Sequence, residues 1–515
     1  MKTNVTRARA GARVSLPAAL AFAATAGLAR DALASPLFDL AGGTDGMGAM
    51  QAGTVEGGAS AAYFNPALLV EVPTGVSVGI LTLSEQIGVS LDGRAGTQYA
   101  VPNGVANAIH ASGAALGNVP IPTGLLQYGK PADMLNAAVA AHPRQGAGTG
   151  HDSFVYETVG FVVRLFDDRL ALGFHGIIPD GDFTNLNAFY SDEREQYFSN
   201  SLHPELYTDR LTSLSFAFGA GVRVTDTLSL GLGASLALRA GVGAPTFVAN
   251  AGALQNLLID TDAKVNTSLA PNLGVSWKPT PRWRISSTAH APEKVALDVN
   301  FSFLLPTGLQ QGSTFSLIYD YMPWQFGAGT EYDLLKTDDD TLTLAATAVY
   351  GTWSQYVDRH GESPVPQYGW YDTLTPTAGI RFKHGNVGTL LDAQYKPSPV
   401  PLQTGRSDYV DNDRAGMTAG IDVAFSILHK PVHVGAQAQA YWLIPRHQTK
   451  LPTPGAPDGV NRTPALVTDE VPDDSQVAGI PLAGSQGLQT NNPGWPGFGS
   501  SGAIFGGGLY FSVQP

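Results

Sequence analysis

Several short patterns in this chain have the form of a chemical site, and each depends on the element that carries it. Gly75-Val76-Ser77-Val78-Gly79 has the G-x-S-x-G spacing of a nucleophile elbow. That device needs a helix directly after the serine, and a strand-like alternation follows instead. Gly497-Phe498-Gly499-Ser500-Ser501-Gly502 has G-x-G-x-x-G spacing but opens a strand pattern rather than following one, so no dinucleotide loop forms. Both are chance products of a chain with 60 glycines. The eleven histidines are scattered without H-E-x-x-H or similar spacing, and cysteine is absent. A thiol nucleophile, a thiolate metal site and a disulfide framework are therefore excluded. Asp469-Glu470 and Asp473-Asp474 read as a solvated acidic loop rather than a Ca²⁺ site. The expectation is a protein that is not an enzyme and uses no metal or other cofactor.

The elements behind these residues are strands. From Gly75 onward apolar and small or polar residues alternate: Leu228, Leu230, Leu232, Ala234 and Leu236 against Ser229, Gly231, Gly233 and Ser235. In a strand the two sets face opposite sides. The same period marks Leu214–Arg223, Leu170–Ile178, Leu342–Tyr350, Pro376–Phe382, Met417–Phe425 and Val432–Trp442. Alternation alone also fits a water-soluble sandwich. Length decides otherwise, since several runs reach ten or more residues, as strands crossing a bilayer must.

Connections alternate between short turns and long loops, the mark of a membrane barrel. Short links fall at Asp167-Asp168, Thr225-Asp226-Thr227, Pro279-Thr280-Pro281, Lys336–Asp340, His384–Asn386 and Ile427–Lys430. Long ones cover roughly 93–152, 182–210, 241–265, 357–373, 398–414 and 448–497. Counted from Gly75, the runs predict an all-β, transmembrane antiparallel β-barrel of about 14 strands. Trp277, Trp283, Tyr332, Tyr350, Phe382, Tyr441, Trp442, Tyr510 and Phe511 near strand ends suit interfacial girdles.

Ahead of the strands lie two further segments. Lys2, Arg7, Arg9 and Arg13, then an apolar run from Leu16 to Ala29 and Ala32-Leu33-Ala34, have the form of a cleaved signal peptide over 1–34. Residues 35–70 are rich in small residues, hold no long strand or helix, and close on Asn65-Pro66-Ala67-Leu68. Such a segment cannot bury a core alone and is expected to sit as a plug, or hatch, in a barrel formed by 71–515. The formal net charge of −13 argues against nucleic acid, which needs a basic footprint.

In sequence order, four stretches carry a family likeness: Phe38-Asp39-Leu40 through Gly46-Met47-Gly48 with Asn65-Pro66-Ala67-Leu68; Asp226–Gly233; Trp353-Ser354-Gln355-Tyr356; and Ser398-Pro399-Val400-Pro401 with Asp411-Asn412-Asp413-Arg414. In these the chain resembles the FadL/TodX family of outer-membrane transporters for long-chain fatty acids and hydrophobic compounds. It departs from the family pattern in its end, Phe511-Ser512-Val513-Gln514-Pro515, and in its long Pro/Gly-rich loop at 448–497. The resemblance implies passive uptake: capture at apolar outer loops, passage into a lumen closed by the hatch, and release through a lateral wall opening. The implied partners are a long-chain fatty acid or other hydrophobic small molecule, outer-membrane lipid, and the barrel assembly machinery during biogenesis. Aromatic hydrocarbon uptake, a general porin and, last, a lipid-modifying enzyme are the alternatives.

Expected ligand-binding residues follow. Phe247, Leu254 and Leu258 belong to an i, i+3/i+4 stripe that predicts a short amphipathic helix in 241–265. Leu125, Leu126, Met134, Leu135, Ala138 and Val139 form a similar apolar stretch in the 93–152 loop. Phe38 and Leu40 are the apolar hatch residues. Arg239, inward by alternation, either holds a carboxylate bidentately or pairs with a lumen acid such as Glu331 or Asp392. Asn65, Pro66 and Ala67 are the joint between hatch and wall. Gly173, Gly176 and Pro179 in one early strand either kink it into a lateral gate, as the resemblance implies, or mark the start of the next loop.

Overall fold

A computed structural model describes residues 36–91, 147–148, 152–180, 214–237, 241–248, 257–265, 268–304, 310–357, 363, 369–401, 409–449, 476–477, 480–481 and 497–514. Its longer strands are, in order, β1 (Gly75–Leu91), β2 (Asp152–Leu165), β3 (Leu170–Pro179), β4 (Ser215–Arg223), β5 (Leu228–Ala237), β6 (Gly241–Val248), β7 (Leu257–Val265), β8 (Ser268–Thr280) and β9 (Trp283–His290). They continue with β10 (Glu293–Leu304), β11 (Gln310–Met322), β12 (Gln325–Lys336), β13 (Asp340–Gly351), β14 (Thr373–His384), β15 (Val387–Lys396), β16 (Arg414–Ile427), β17 (Lys430–Thr449) and β18 (Gly497–Val513).

Leaving out β6, β7, β10 and β11, these strands form one antiparallel sheet of 14. It closes on itself. One edge of β1 pairs with β18 from Val76↔Val513 to Leu91↔Phe498, and the other pairs with β2 from Gly75↔Val162 to Glu85↔Asp152. The departure at the chain's end costs nothing in closure, because Val513 sits between Val76 and Val432. The six short links are all at one end, as alternation of turns and loops requires.

The excluded four strands form a separate sheet, ordered β11-β10-β7-β6, that prolongs β5, β8, β9 and β12 beyond the long-loop end. Among the described residues of 241–265 the expected amphipathic helix is not formed. Gly241–Val248 and Leu257–Val265 are strands, with Phe247 opposite Leu258. The helical spacing of the leucines loses to the free edge of β10, which takes β7 along Leu297↔Val265 to Leu304↔Leu258 and satisfies its backbone. Where no neighbouring edge exists, spacing alone would be the better guide.

Alternation has the opposite sense to that of a soluble protein. Leu230, Leu232, Leu273, Val275, Leu344, Ile380, Leu391 and Ile421 are exposed on the outer surface, while Ser229, Ser235, Ser276, Thr343, Thr375, Thr377 and Thr418 are buried inside. An outer surface so uniformly apolar faces hydrocarbon. Among the described residues no helix is long and apolar enough to cross a membrane. Trp277, Trp283, Tyr332, Tyr350, Phe382, Trp442 and Phe511 are exposed near strand ends as girdle residues should be. Tyr441 and Tyr510 are not: both turn inward and are buried, donating to Leu40 O (3.1 Å) and to the Asp422 carboxylate. Leu232→Arg is expected to destabilise the barrel by about 2–4 kcal/mol, the cost of a cation on the lipid face. Urea titration in phospholipid vesicles measures it, and a shift near zero contradicts an outward Leu232.

Candidate functional site

A sheet of fourteen strands encloses more space than its own side chains fill, and residues 36–72 lie in that space. They form only short pieces: α1 (Pro36–Ala41), α2 (Ala61–Phe64) and single 3-10 turns at Ala49–Gln51 and Pro66–Val70. With so little internal structure, the segment bonds to the wall through both its side chains and its backbone carbonyls. Ser77 on β1 donates to Asp45, Thr44 bonds His175 on β3 (3.3 Å), and Asn272 on β8 donates to Ala62 O (3.2 Å). Further round, Gln325 on β12 donates to Asp39 (2.7 Å), and Gln439 on β17 donates to Leu40 O (3.1 Å).

Asn65 is the firmest of these joints. Fully buried, it accepts from Ala67 N (3.1 Å) and donates to Gly53 O (2.9 Å) and to Val275 O of β8 (3.3 Å). Pro66 follows as the first residue of the 3-10 turn, a position where its missing N–H is not needed. Gly231 and Gly274 on the facing wall admit this turn, since a Cβ on either would run into Pro66, Ala67 or Asn65. Asn65, Pro66 and Ala67 thus sit where the internal segment meets β5 and β8.

Charged residues bind the opposite side. Arg381 on β14 donates to Met47 O (3.0 Å) and Gly48 O (2.8 Å) while paired with Asp392 on β15. Asp392 in turn accepts from Met50 N (3.1 Å). Nearer the short-turn end, Arg284 on β9 pairs with Glu331 of β12 (2.6 Å) and with Glu71, and Lys278 pairs with Glu71. Glu331 and Asp392, expected as possible partners for Arg239, are thus paired with Arg284 and Arg381, while Arg239 itself lies outside the described residues. Beside this cluster stands Glu56, on the internal segment. Burial and then the Glu71 carboxylate push it up to about 7, with Arg284 and Lys278 opposing and Glu331 adding to the rise.

Apolar packing is one-sided. Leu37, Phe38, Tyr63, Leu68 and Leu69 pack on Leu81, Leu83, Tyr156, Ile177, Ala217, Tyr441 and Ile504, all on β1 to β4, β17 and β18. Against β9 and β12 to β15 the segment leaves a chamber of about 100 Å³. Its lining includes Thr54, Ser286, His290, Gly329, Thr347 and Gln394. Trp353 also lines it and belongs to an aromatic cluster at the long-loop end, where Tyr356 stacks on Trp370 with centroids 3.7 Å apart. Below the segment a second cavity, about 390 Å³, is strongly charged: Asp45, Glu56, Arg284, Glu331, Arg381, Lys383 and Asp422 line it.

Among the described residues, the expected ligand residues Phe38, Leu40, Phe247 and Leu258 fall in separate places. Phe38 stacks on Tyr63 at 4.4 Å within the core, and Leu40 borders a cavity of about 20 Å³ with Lys396 and Arg414. Phe247 and Leu258 face each other as partners in the separate sheet. Arg239, Leu254 and the 125–139 stretch lie outside the described residues, as does the signal segment. At Gly173, Gly176 and Pro179 the pairing of β3 shows no register shift, and Pro179 ends the strand. β3 pairs with β2 through to Tyr156↔Pro179 and with β4 from Leu170↔Val222 to Ile177↔Ser215. Gly173 instead makes room for Leu69. Arg381, Asp392, Arg284 and Glu71 carry the inner contacts. For Arg381, Asp392 and Arg284 the one sequence signal was a charge at an inward position of an alternating run; Glu71 lies ahead of the first strand and had none.

No family model and no curated protein matches this chain. Among solved structures, a Pseudomonas aeruginosa FadL homologue superposes with a TM-score of 0.53 at 16% identity, covering 92% of this chain and 97% of that one. The chain has that FadL-type fold. More remote are the Pseudomonas putida toluene transporter TodX (TM-score 0.44, 10% identity, 92% and 99% covered) and the Ralstonia pickettii toluene transporter TbuX (0.43, 12%, 94% and 99%). The architectural likeness rests on the first.

Two outcomes follow for this FadL-type lumen. Arg381→Ala strands Asp392 as a buried charge and is expected to cost about 3–5 kcal/mol in chemical denaturation. A loss below about 0.5 kcal/mol, the range of ordinary surface changes, contradicts the clamp. Glu56 has a folded pKa of about 7 against 4.5 for the free group, so folding favours its protonated form. Its contribution is full below pH 4.5 and is lost as pH rises from there to about 7. Stability in detergent should decline over that window, and Glu56→Gln should flatten the decline.

Proposed function

We propose that the chain is an outer-membrane channel of the FadL/TodX kind, taking up hydrophobic small molecules passively, with long-chain fatty acids as the ligand class. One observation carries this reading: the lumen is occupied by residues 36–72, which leave a chamber of only about 100 Å³ under an aromatic cluster. A general porin needs a continuous aqueous passage. A plugged lumen beneath aromatic side chains suits a ligand that leaves water readily and moves between discrete sites. Capture occurs at the outer loops, and exit lies sideways into the membrane. The sideways route is favoured because the cavity below the plug is lined by charges that a hydrocarbon chain would desolvate without compensation.

Aromatic hydrocarbon uptake is the second reading, favoured by the aromatic character of the cluster of Tyr356, Trp370, Trp353 and Tyr409 at the outer mouth, whose buried rings pack on one another. The ligand itself decides between them. Mass spectrometry of molecules co-purifying with the full chain from detergent-solubilised membranes should find long-chain fatty acids, and fluorescent fatty-acid titration should saturate. Recovery of monoaromatics without fatty acids would select the second reading. No retained hydrophobe and no saturable binding of either class would overturn both.

A further inference from the structure

The chamber beside the plug is lined differently from the mouth above it. At the mouth the rings of Trp353, Tyr356, Trp370 and Tyr409 pack on one another. The chamber instead presents hydroxyl and amide groups: Ser286 and Thr288 of β9, Thr347 of β13, Thr373 and Thr375 of β14, and Gln394 of β15. Its lining holds one carboxylate, Asp39, and one ammonium, Lys396. Asp39 already accepts from Tyr63 (3.1 Å) and Gln325 (2.7 Å). Such a space is polar without an excess of either charge, and it suits an uncharged polar group better than an ion.

Register explains why these groups reach the space. Two inward rows cross the wall side by side. One runs Ser286, Gly329, Thr347, Thr377 and Gln394, and the other Thr288, Gly327, Val349 and Thr375. In both rows β12 contributes glycine, so no β12 side chain covers the two β9 hydroxyls. A Cβ at Gly327 would run into the Thr288 hydroxyl, and one at Gly329 into those of Thr54 and Thr347.

The hydroxyls are not equally occupied. Thr347 bonds Gln51 and Thr54 (3.2 Å), and Gln394 donates to Thr377 (3.1 Å). Ser286 has nothing comparable. It is 2% exposed, and its Oγ has no hydrogen-bond partner among the described residues. A hydroxyl can give one hydrogen bond and accept two. Hydrocarbon packed against it satisfies none of them, whereas a ligand with a hydroxyl of its own satisfies both sides.

We infer that the chamber is a binding site for the uncharged hydroxyl of an otherwise apolar chain, held by Ser286 with Thr288 beside it, while the chain itself lies under the aromatic cluster. The ligand class is a hydroxylated amphiphile, a long-chain alcohol or an ω-hydroxy fatty acid. This rests on the uptake reading above and deepens it: a hydroxyl at the leading end improves the ligand even though it makes the chain more soluble in water.

The test displaces a fluorescent fatty acid from the full-length chain in detergent, using an ω-hydroxy fatty acid and the plain fatty acid of equal length. The ω-hydroxy acid should bind about fivefold tighter, the worth of one hydrogen bond, although partition out of water alone makes it the weaker of the two. Ser286→Ala with Thr288→Val should erase or reverse that order. A plain acid that binds the unaltered chain as tightly as its ω-hydroxy partner, or an order that the double variant keeps, would overturn the hydroxyl site while leaving the uptake reading intact. An unaltered chain that neither binds the fluorescent probe nor takes it into reconstituted vesicles overturns both. A second measurement leaves the two hydroxyls in place. The chain has no cysteine, so Val349→Cys puts a single thiol in the chamber lining, opposite Gly327. A long-chain alcohol should slow its reaction with a small methanethiosulfonate several-fold, and an alkane of equal length should not. Equal slowing by both, or by neither, would overturn the site.

Discussion

Hydrocarbon offers no hydrogen bonds, so every backbone N–H and C=O within it must be paired inside the protein. The closure of β1 onto both β2 and β18 is this chain's answer, and its other features depend on it. A closed sheet has no edge to leave open. It also sorts each strand's side chains into a lipid set and a lumen set, which is why Leu230 and Leu232 are exposed while Ser229 and Ser235 are not. Fourteen strands then create an interior that wall residues cannot fill, and the internal segment occupies it.

That segment is held in two physically different ways. Toward β1 to β4 it packs apolar residues against the wall, a contact with little directional preference. Toward β9 and β14 it is held by guanidinium groups on backbone carbonyls, which fix position closely. Buried ion pairs of this kind add specificity more surely than net stability. The result is an asymmetric lumen, tight on one side and chambered on the other. The charged lower cavity holds Glu56, whose carboxyl is pushed up to about 7 by burial and by Glu71.

Much of the fold was legible in the sequence. Period-2 alternation and the order of short and long links located all fourteen wall strands, because both follow from local backbone geometry and from the topology of a meander. Alternation cannot say which set faces out; strand length and closure had to. Less visible were features decided between distant residues. A charge at an inward position such as Arg381 could be seen, but not that Asp392 and the carbonyls of Met47 and Gly48 would receive it. The helix read into 241–265 failed because the free edge of β10 was invisible in one dimension. Likewise the glycines of β3 read as a bend, whereas Gly173 accommodates Leu69 of the plug. Tyr441 and Tyr510 sat at girdle positions by proximity to strand ends, yet their hydroxyls find partners inside.

The proposed uptake of hydrophobes rests on residues 36–72 closing the lumen. Planar-bilayer conductance tests this most directly, comparing the full chain with one lacking residues 36–60. A sealed lumen requires the full chain to be electrically silent at steady voltage and the shortened chain to conduct continuously. Steady, open conductance from the full chain, or equal currents from the two, would contradict it.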